Sequence, residues 1–146
     1  MAKRISNMNQ LQAALMPAMT KIVDVLAERV YKTLNYFLQE YYNSYDPKSY
    51  RRQYDFLRSA VKVEPKVVGS KVVASVYIDT ESMDNYYNAT GEQVAALANQ
   101  GTHGGLDTNS GTPHVWDDTM DETVNNGELL RLAVEYLRSK GISVKV

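Results

Sequence analysis

The chain contains no cysteine, and its 146 residues include only four prolines, two phenylalanines and one tryptophan. Without cysteine there is no disulfide, no thiolate nucleophile and no cysteine-ligated zinc or iron–sulfur centre. Long apolar runs are also missing. No stretch approaches the roughly 18 uninterrupted apolar residues of a membrane helix. The start, Met1-Ala2-Lys3-Arg4-Ile5, lacks an apolar segment after its two basic residues, so no signal peptide is expected. Neither sign of charge dominates: 16 basic residues stand against 17 acidic ones, for a net charge of -1. A nucleic-acid partner usually requires a clustered basic face, so nucleic acid is expected as an incidental contact at most.

Chemistry-bearing motifs are equally scarce. Neither a Walker loop nor a Gly-x-Gly-x-x-Gly phosphate loop occurs, and there is no Gly-x-Ser-x-Gly elbow. The two histidines, His103 and His114, lie in or beside a glycine-rich segment, near Asp107, Asp117 and Asp118. Two histidines and a carboxylate can hold a metal. Their spacing fits no helical ligand motif, however, and exposed or backbone-bonded histidines are the simpler reading. A Ser110–His114–Asp117 triplet has no distinguishing geometry in sequence. The carboxylate pairs Asp117–Asp118 and Glu122–Asp121 suit a helix start, where the dipole favours them. The chain therefore reads as a non-enzyme with no cofactor and no metal.

What the chain does have is tyrosine. There are eleven, seven of them between Tyr31 and Tyr54. Tyrosine joins a large apolar ring to a polar tip, which suits half-wet contact surfaces. Tyr41, Tyr42, Tyr45, Tyr50 and Tyr54, interleaved with Arg51 and Arg52, form a candidate protein-facing surface. Arginine and tyrosine are the usual anchors of such surfaces.

The length suits one domain. Residues 1–17 read as an N-terminal arm, of which 1–16 form an arm or a short helix, with Pro17 in the first turn of the helix that follows. From 18 to 43, Met19, Ile22, Leu26, Val30, Leu34, Phe37 and Tyr41 recur at steps of three and four and predict a long amphipathic helix. Asn43-Ser44-Tyr45-Asp46-Pro47 ends it.

Two alternating runs, 61–67 and 72–78, flank Gly69-Ser70 and predict a hairpin with a two-residue turn. Continued from that turn, the register sets Val67 against Val72, Val63 against Val76 and Val61 against Ile78. Pro65 cannot donate to the ladder, so the strand is expected to be an edge there, or bulged. An edge is a place where another chain can dock.

Thr90 and Gln93 form a capping box that opens a short helix over 92–99. A loop over 101–114 follows, and its length points to function or disorder. Trp116, Met120 and Val124 suggest another short helix. Residues 128–140 form a strongly amphipathic helix with Leu129, Leu130, Ala133, Tyr136 and Leu137 inward. Gly141 terminates it, with Ile142 reaching back to Leu137, and 142–146 alternates like a short strand. Helices and strands are segregated, so the expected fold is α+β, with a long N-terminal and a C-terminal helix packed on a small antiparallel sheet. Residues 18–146 form its single domain.

Three passages carry a resemblance to the tail-component or tail-completion proteins of long-tailed bacteriophages. Tyr50-Arg51-Arg52-Gln53-Tyr54-Asp55-Phe56-Leu57-Arg58-Ser59 is similar to a Y-x-R-T-Y-x-L-L-x-S run, with Gln53 in place of threonine and Phe56 in place of leucine. Gly91-Glu92-Gln93-Val94 through Asn99-Gln100-Gly101-Thr102-His103-Gly104 is similar to a helix followed by a G-x-H-G loop. The C-terminal helix ending in Gly141-Ile142 is the third. The 101–114 loop is longer than that pattern has. The resemblance implies a virion protein of the head–tail junction, made in the host cytoplasm. It also implies a homo-oligomeric ring, often sixfold, between head-closure or connector proteins and the tail tube. The alternative is a tail-terminator or other adaptor subunit that caps the tube.

Overall fold

The computed structural model describes residues 5–44, 54–83, 89–101 and 112–145. Its elements, in order, are helix α1 (Met8–Asn43), strands β1 (Ala60–Val68) and β2 (Lys71–Ile78), helices α2 (Gly91–Asn99) and α3 (Val115–Met120), a π-helical turn (Asp121–Asn125), and helix α4 (Glu128–Ser139). The fold is α+β, as expected.

Helix α1 is the spine. At 36 residues it runs about 54 Å at 1.5 Å per residue. It begins at Met8, not at Ala18. Asn7 caps it, accepting from the Gln10 N–H at 2.9 Å. Pro17 lies inside the helix, not in its first turn. It cannot donate to the Ala13 carbonyl, yet good helix formers on both sides, Ala, Leu, Met and Gln, carry the backbone through.

The core sits on the C-terminal half of α1. Leu34, Leu38, Tyr41 and Tyr42 pack with Phe56, Met83, Ala98 and Val115. Ala60, Val76 and Ile78 of the hairpin, and Trp116 of α3, close over them. Helix α4 packs on α1 and on the π-helical turn. Val134 is its buried residue, whereas Leu130, expected inward, is 57% exposed.

The hairpin turn forms where the sequence places it, with Gly69 at φ +62°. Near the turn the register is also as expected, with Val67 against Val72. Beyond Pro65 it differs. Val63 pairs with Ser75, Lys62 with Val76, Val61 with Tyr77 and Ala60 with Ile78. Glu64 and Pro65 thus stand together against Ala74, which is a β-bulge. One extra residue moves every side chain beyond it to the other face. Val61 and Val63 leave the inner face for the outer one, and Lys62 takes their place beneath.

Local end signals are met. Thr90 and Gln93 make the capping box at α2. At the end of α4 the Ile142 N–H donates to the Leu137 carbonyl at 3.0 Å, with Gly141 at φ +79°. These are the bonds of a Schellman stop. The C-terminal strand does not form: residues 142–145 are irregular. Alternation alone makes no strand without a partner edge, and the Val144 carbonyl instead accepts from the Arg138 guanidinium at 3.2 Å.

Candidate interaction surfaces

The first surface is the free end of α1. Residues 5–20 contain no charged side chain. Met8, Leu11, Leu15 and Met19 recur at steps of three and four, and lead into buried Ile22. All four are exposed, Met8 at 66%. The apolar stripe therefore continues past the part of the helix that its own fold covers.

The second surface is the outer face of the hairpin. Val61, Val63, Val73, Ser75 and Tyr77 share it by register. Val63, Val73 and Tyr77 are 39%, 41% and 43% exposed. Strands with one wet face alternate apolar and polar, whereas strands covered on both faces are apolar throughout. From Val72 to Ile78 this strand is apolar at every position but Ser75. It has the composition of a strand with two covered faces, yet only one of them is packed. Among the described residues the sheet has two strands, so each also presents an open edge.

The bulge has a cost beneath it, because Lys62 now faces α1. Its Nζ lies 2.8 Å from Asp24 Oδ1, 3.0 Å from Glu28 Oε2 and 3.5 Å from Glu64 Oε1, with only 12% of its side chain exposed. Three carboxylates surround one ammonium, which offsets its partial burial. The hydrogen bond from Lys62 holds the Asp24 carboxyl below its usual range, against the opposing effect of burial. Hydrogen bonds to Asp24 and Glu28 hold Lys62 above its usual range.

The signs differ for the two groups. Asp24's contribution is complete above its ordinary value of 3.8 and is lost as pH falls through the depressed one. Lys62's is complete below its ordinary 10.5 and is lost as pH rises through the raised one. Denaturation of wild type and Lys62→Met across pH should show a wild-type advantage that is flat through neutral pH and shrinks below Asp24's ordinary value. An advantage that grew on acidification would contradict the pairing.

The tyrosine-rich segment divides. Tyr41 and Tyr42 are core residues and not a surface. The Tyr42 hydroxyl accepts from the Leu57 N–H at 3.2 Å. Tyr54 is exposed and stacks on Tyr42 with ring centroids 5.7 Å apart. Pro65 is half-buried at the bulge. Tyr45, Tyr50, Arg51, Arg52 and His103 lie outside the described residues.

His114 has a structural task. Its Nδ1 is 3.0 Å from the Asn99 carbonyl. Asn99 Oδ1 in turn accepts from the backbone N–H groups of Trp116 at 3.1 Å and Asp117 at 2.8 Å. The last residue of α2 thus caps α3, and together with His114 it ties the end of α2 to the start of α3. Asn99→Ala should cost about 1 kcal/mol, as lost caps do. A urea melt giving no loss would remove the capping role. Among the described residues no cluster of three His, Asp or Glu side chains gathers as metal ligands.

An open depression of about 530 Å³ lies on α4, lined by Gly127, Leu130, Arg131, Val134, Glu135 and Arg138. Arg131 there is paired along the helix to Glu135 and Glu128 at 2.7 Å each, and Arg138 donates to the Val144 carbonyl. Among the described residues no helix is long and apolar enough to cross a membrane.

Sequence reasoning missed the outer face. Pro65 marked the bulge, but not that the register would move by one residue. Neither curated proteins nor solved structures gave a match. A family model did: the one described as YomN, a phage-derived name, matches residues 7–139. The chain belongs to the YomN family.

Proposed function

We propose that this chain is a structural virion protein of the phage head–tail junction, a neck or tail-completion subunit. It forms a homo-oligomeric ring between head-closure proteins and the tail tube. It assembles in the host cytoplasm and does no catalysis.

Family membership supports a phage association. The similarity of residues 50–59, 91–104 and the C-terminal helix to tail-completion proteins supports the finer reading. The observation that carries it is one small domain with two separate apolar surfaces left bare by its own fold. A ring subunit needs two different complementary surfaces, one for each neighbour.

The test is gold labelling of the tagged chain in purified particles, combined with mass measurement of its copy number. Several copies at the neck are expected. A single copy per particle, or label along the tail or at the tail-tube cap, overturns the reading; label at the cap favours a tail terminator.

A further inference from the structure

We propose that the free end of α1 docks on the outer hairpin face of the next copy of this chain. The proposal rests on the ring reading above and names the contact that would build it.

The argument starts from charge. Burying a charge without a partner is costly, so a neutral apolar surface is best covered by another one. Several exposed apolar residues of this protein sit among charges. Leu130 lies beside Arg131, and Val124 lies near Asp121. Val25 follows Asp24, and Tyr36 has Lys32 and Glu40 one turn away on either side. Two surfaces differ. The helix stripe Met8, Leu11, Leu15, Met19 comes from a segment with no charge at all. On the outer hairpin face, the half beyond the bulge, with Val61, Val63 and Tyr77, presents only Ser75 as a polar side chain, whereas Lys66 beside Val73 and Lys71 beside Val68 occupy the half nearer the turn.

Shape agrees. A sheet face is covered by a helix in most α+β packings. This hairpin already carries α1 of its own chain on the inner face. A neighbour's α1 on the outer face would complete a helix–sheet–helix layer, the setting that strands apolar on both faces are suited to. The helix stripe and the sheet face are different surfaces, so the contact runs head to tail, the kind of contact from which the proposed ring is built.

Area sets its strength. The four stripe residues are 36–66% exposed, and four such side chains fall well short of the about 800 Å² per partner in a stable pair. One such contact does not hold a free dimer. Around a closed ring each copy gives one contact and receives another, and closure raises the effective concentration at every joint.

The absence of cysteine makes the test clean. Leu15→Cys and Val63→Cys are introduced into the full chain, singly and together. Each is concentrated and treated with a short bis-maleimide, then run on a denaturing gel. The double variant should give a ladder of covalent multimers. An equal mixture of the two single variants should stop at a dimer, and each single variant alone should stay monomeric. Dimers from Leu15→Cys alone would mean that helices pair with helices, and would overturn the proposal. Monomers throughout would also overturn it. A ladder with no label at the particle neck would leave the contact standing and remove the neck reading. Neck label with no ladder would do the reverse.

Discussion

Phe56→Ala should lower the unfolding free energy by about 3–5 kcal/mol, the range for deleting a fully buried aromatic side chain. Phe56 is 1% exposed. Its ring meets Tyr41 edge-on at 5.7 Å and lies nearly parallel to Tyr42 at 6.5 Å. Leu34 and Leu38 belong to the same cluster. Removing the ring leaves a cavity under two tyrosines. It also frees Tyr42, whose hydroxyl receives the Leu57 N–H. A domain of this size holds only about 5–15 kcal/mol in total, so the loss would be a large shift of the urea midpoint. Phe56→Leu, which restores the residue of the similar phage pattern, should cost about 1–2 kcal/mol because most of the volume remains. Tyr54→Ala removes an exposed stacking ring and should cost under about 1 kcal/mol. A Phe56→Ala loss no larger than that of Tyr54→Ala would mean that Tyr41 and Tyr42 form a surface after all.

The contrast between Phe56 and Tyr54 shows which part of the fold was legible in the sequence. Signals that close their own hydrogen bonds within one turn are legible in the sequence. Thr90 with Gln93, Gly69 with Ser70, and Gly141 with Ile142 each satisfy backbone groups within their own turn, so no distant residue can override them. The stripe on α1 was read as a single face. The hairpin, α3 and α4 all pack on that helix, so Ala27, Leu38 and Tyr42 are buried although they lie off the stripe.

The outer hairpin face was illegible for a different reason. Its identity hangs on whether β1 holds one extra residue, and Pro65 marks where but not how many. Lys62 gave the contrary signal, since a lysine reads as outward-facing. It turns inward because Asp24 and Glu28, far away in sequence, stand ready to pair with it. The neutral segment over 5–20 was visible, yet Pro17 suggested a helix start there. Proline disfavours a helix interior without forbidding it, and this helix passes through.

Gly91→Ala is the other large effect, at about 1–3 kcal/mol, the usual cost of overpacking. The residue is buried at the first turn of α2. A Cβ built there runs into the Thr80 carbonyl oxygen and sits 3.1 Å from Met83 Cβ. The obstacle is backbone, so no rotamer change relieves it, and α2 must move away from the end of β2. Movement at that end travels the length of a nine-residue helix to Asn99, which caps α3 and holds His114. The substitution should therefore also weaken the tie between α2 and α3 and speed proteolytic cleavage between them. Gly141→Ala is the comparison, because nothing lies within 4 Å of its added methyl. It has only its left-handed backbone to pay for, about 1 kcal/mol, and should leave that cleavage rate unchanged. Met83→Gly, which removes the Cβ that the added methyl would meet, is measured alone and with Gly91→Ala to decide the cause. If the two losses add, the Thr80 carbonyl is the obstacle; if the double variant loses clearly less than their sum, Met83 was.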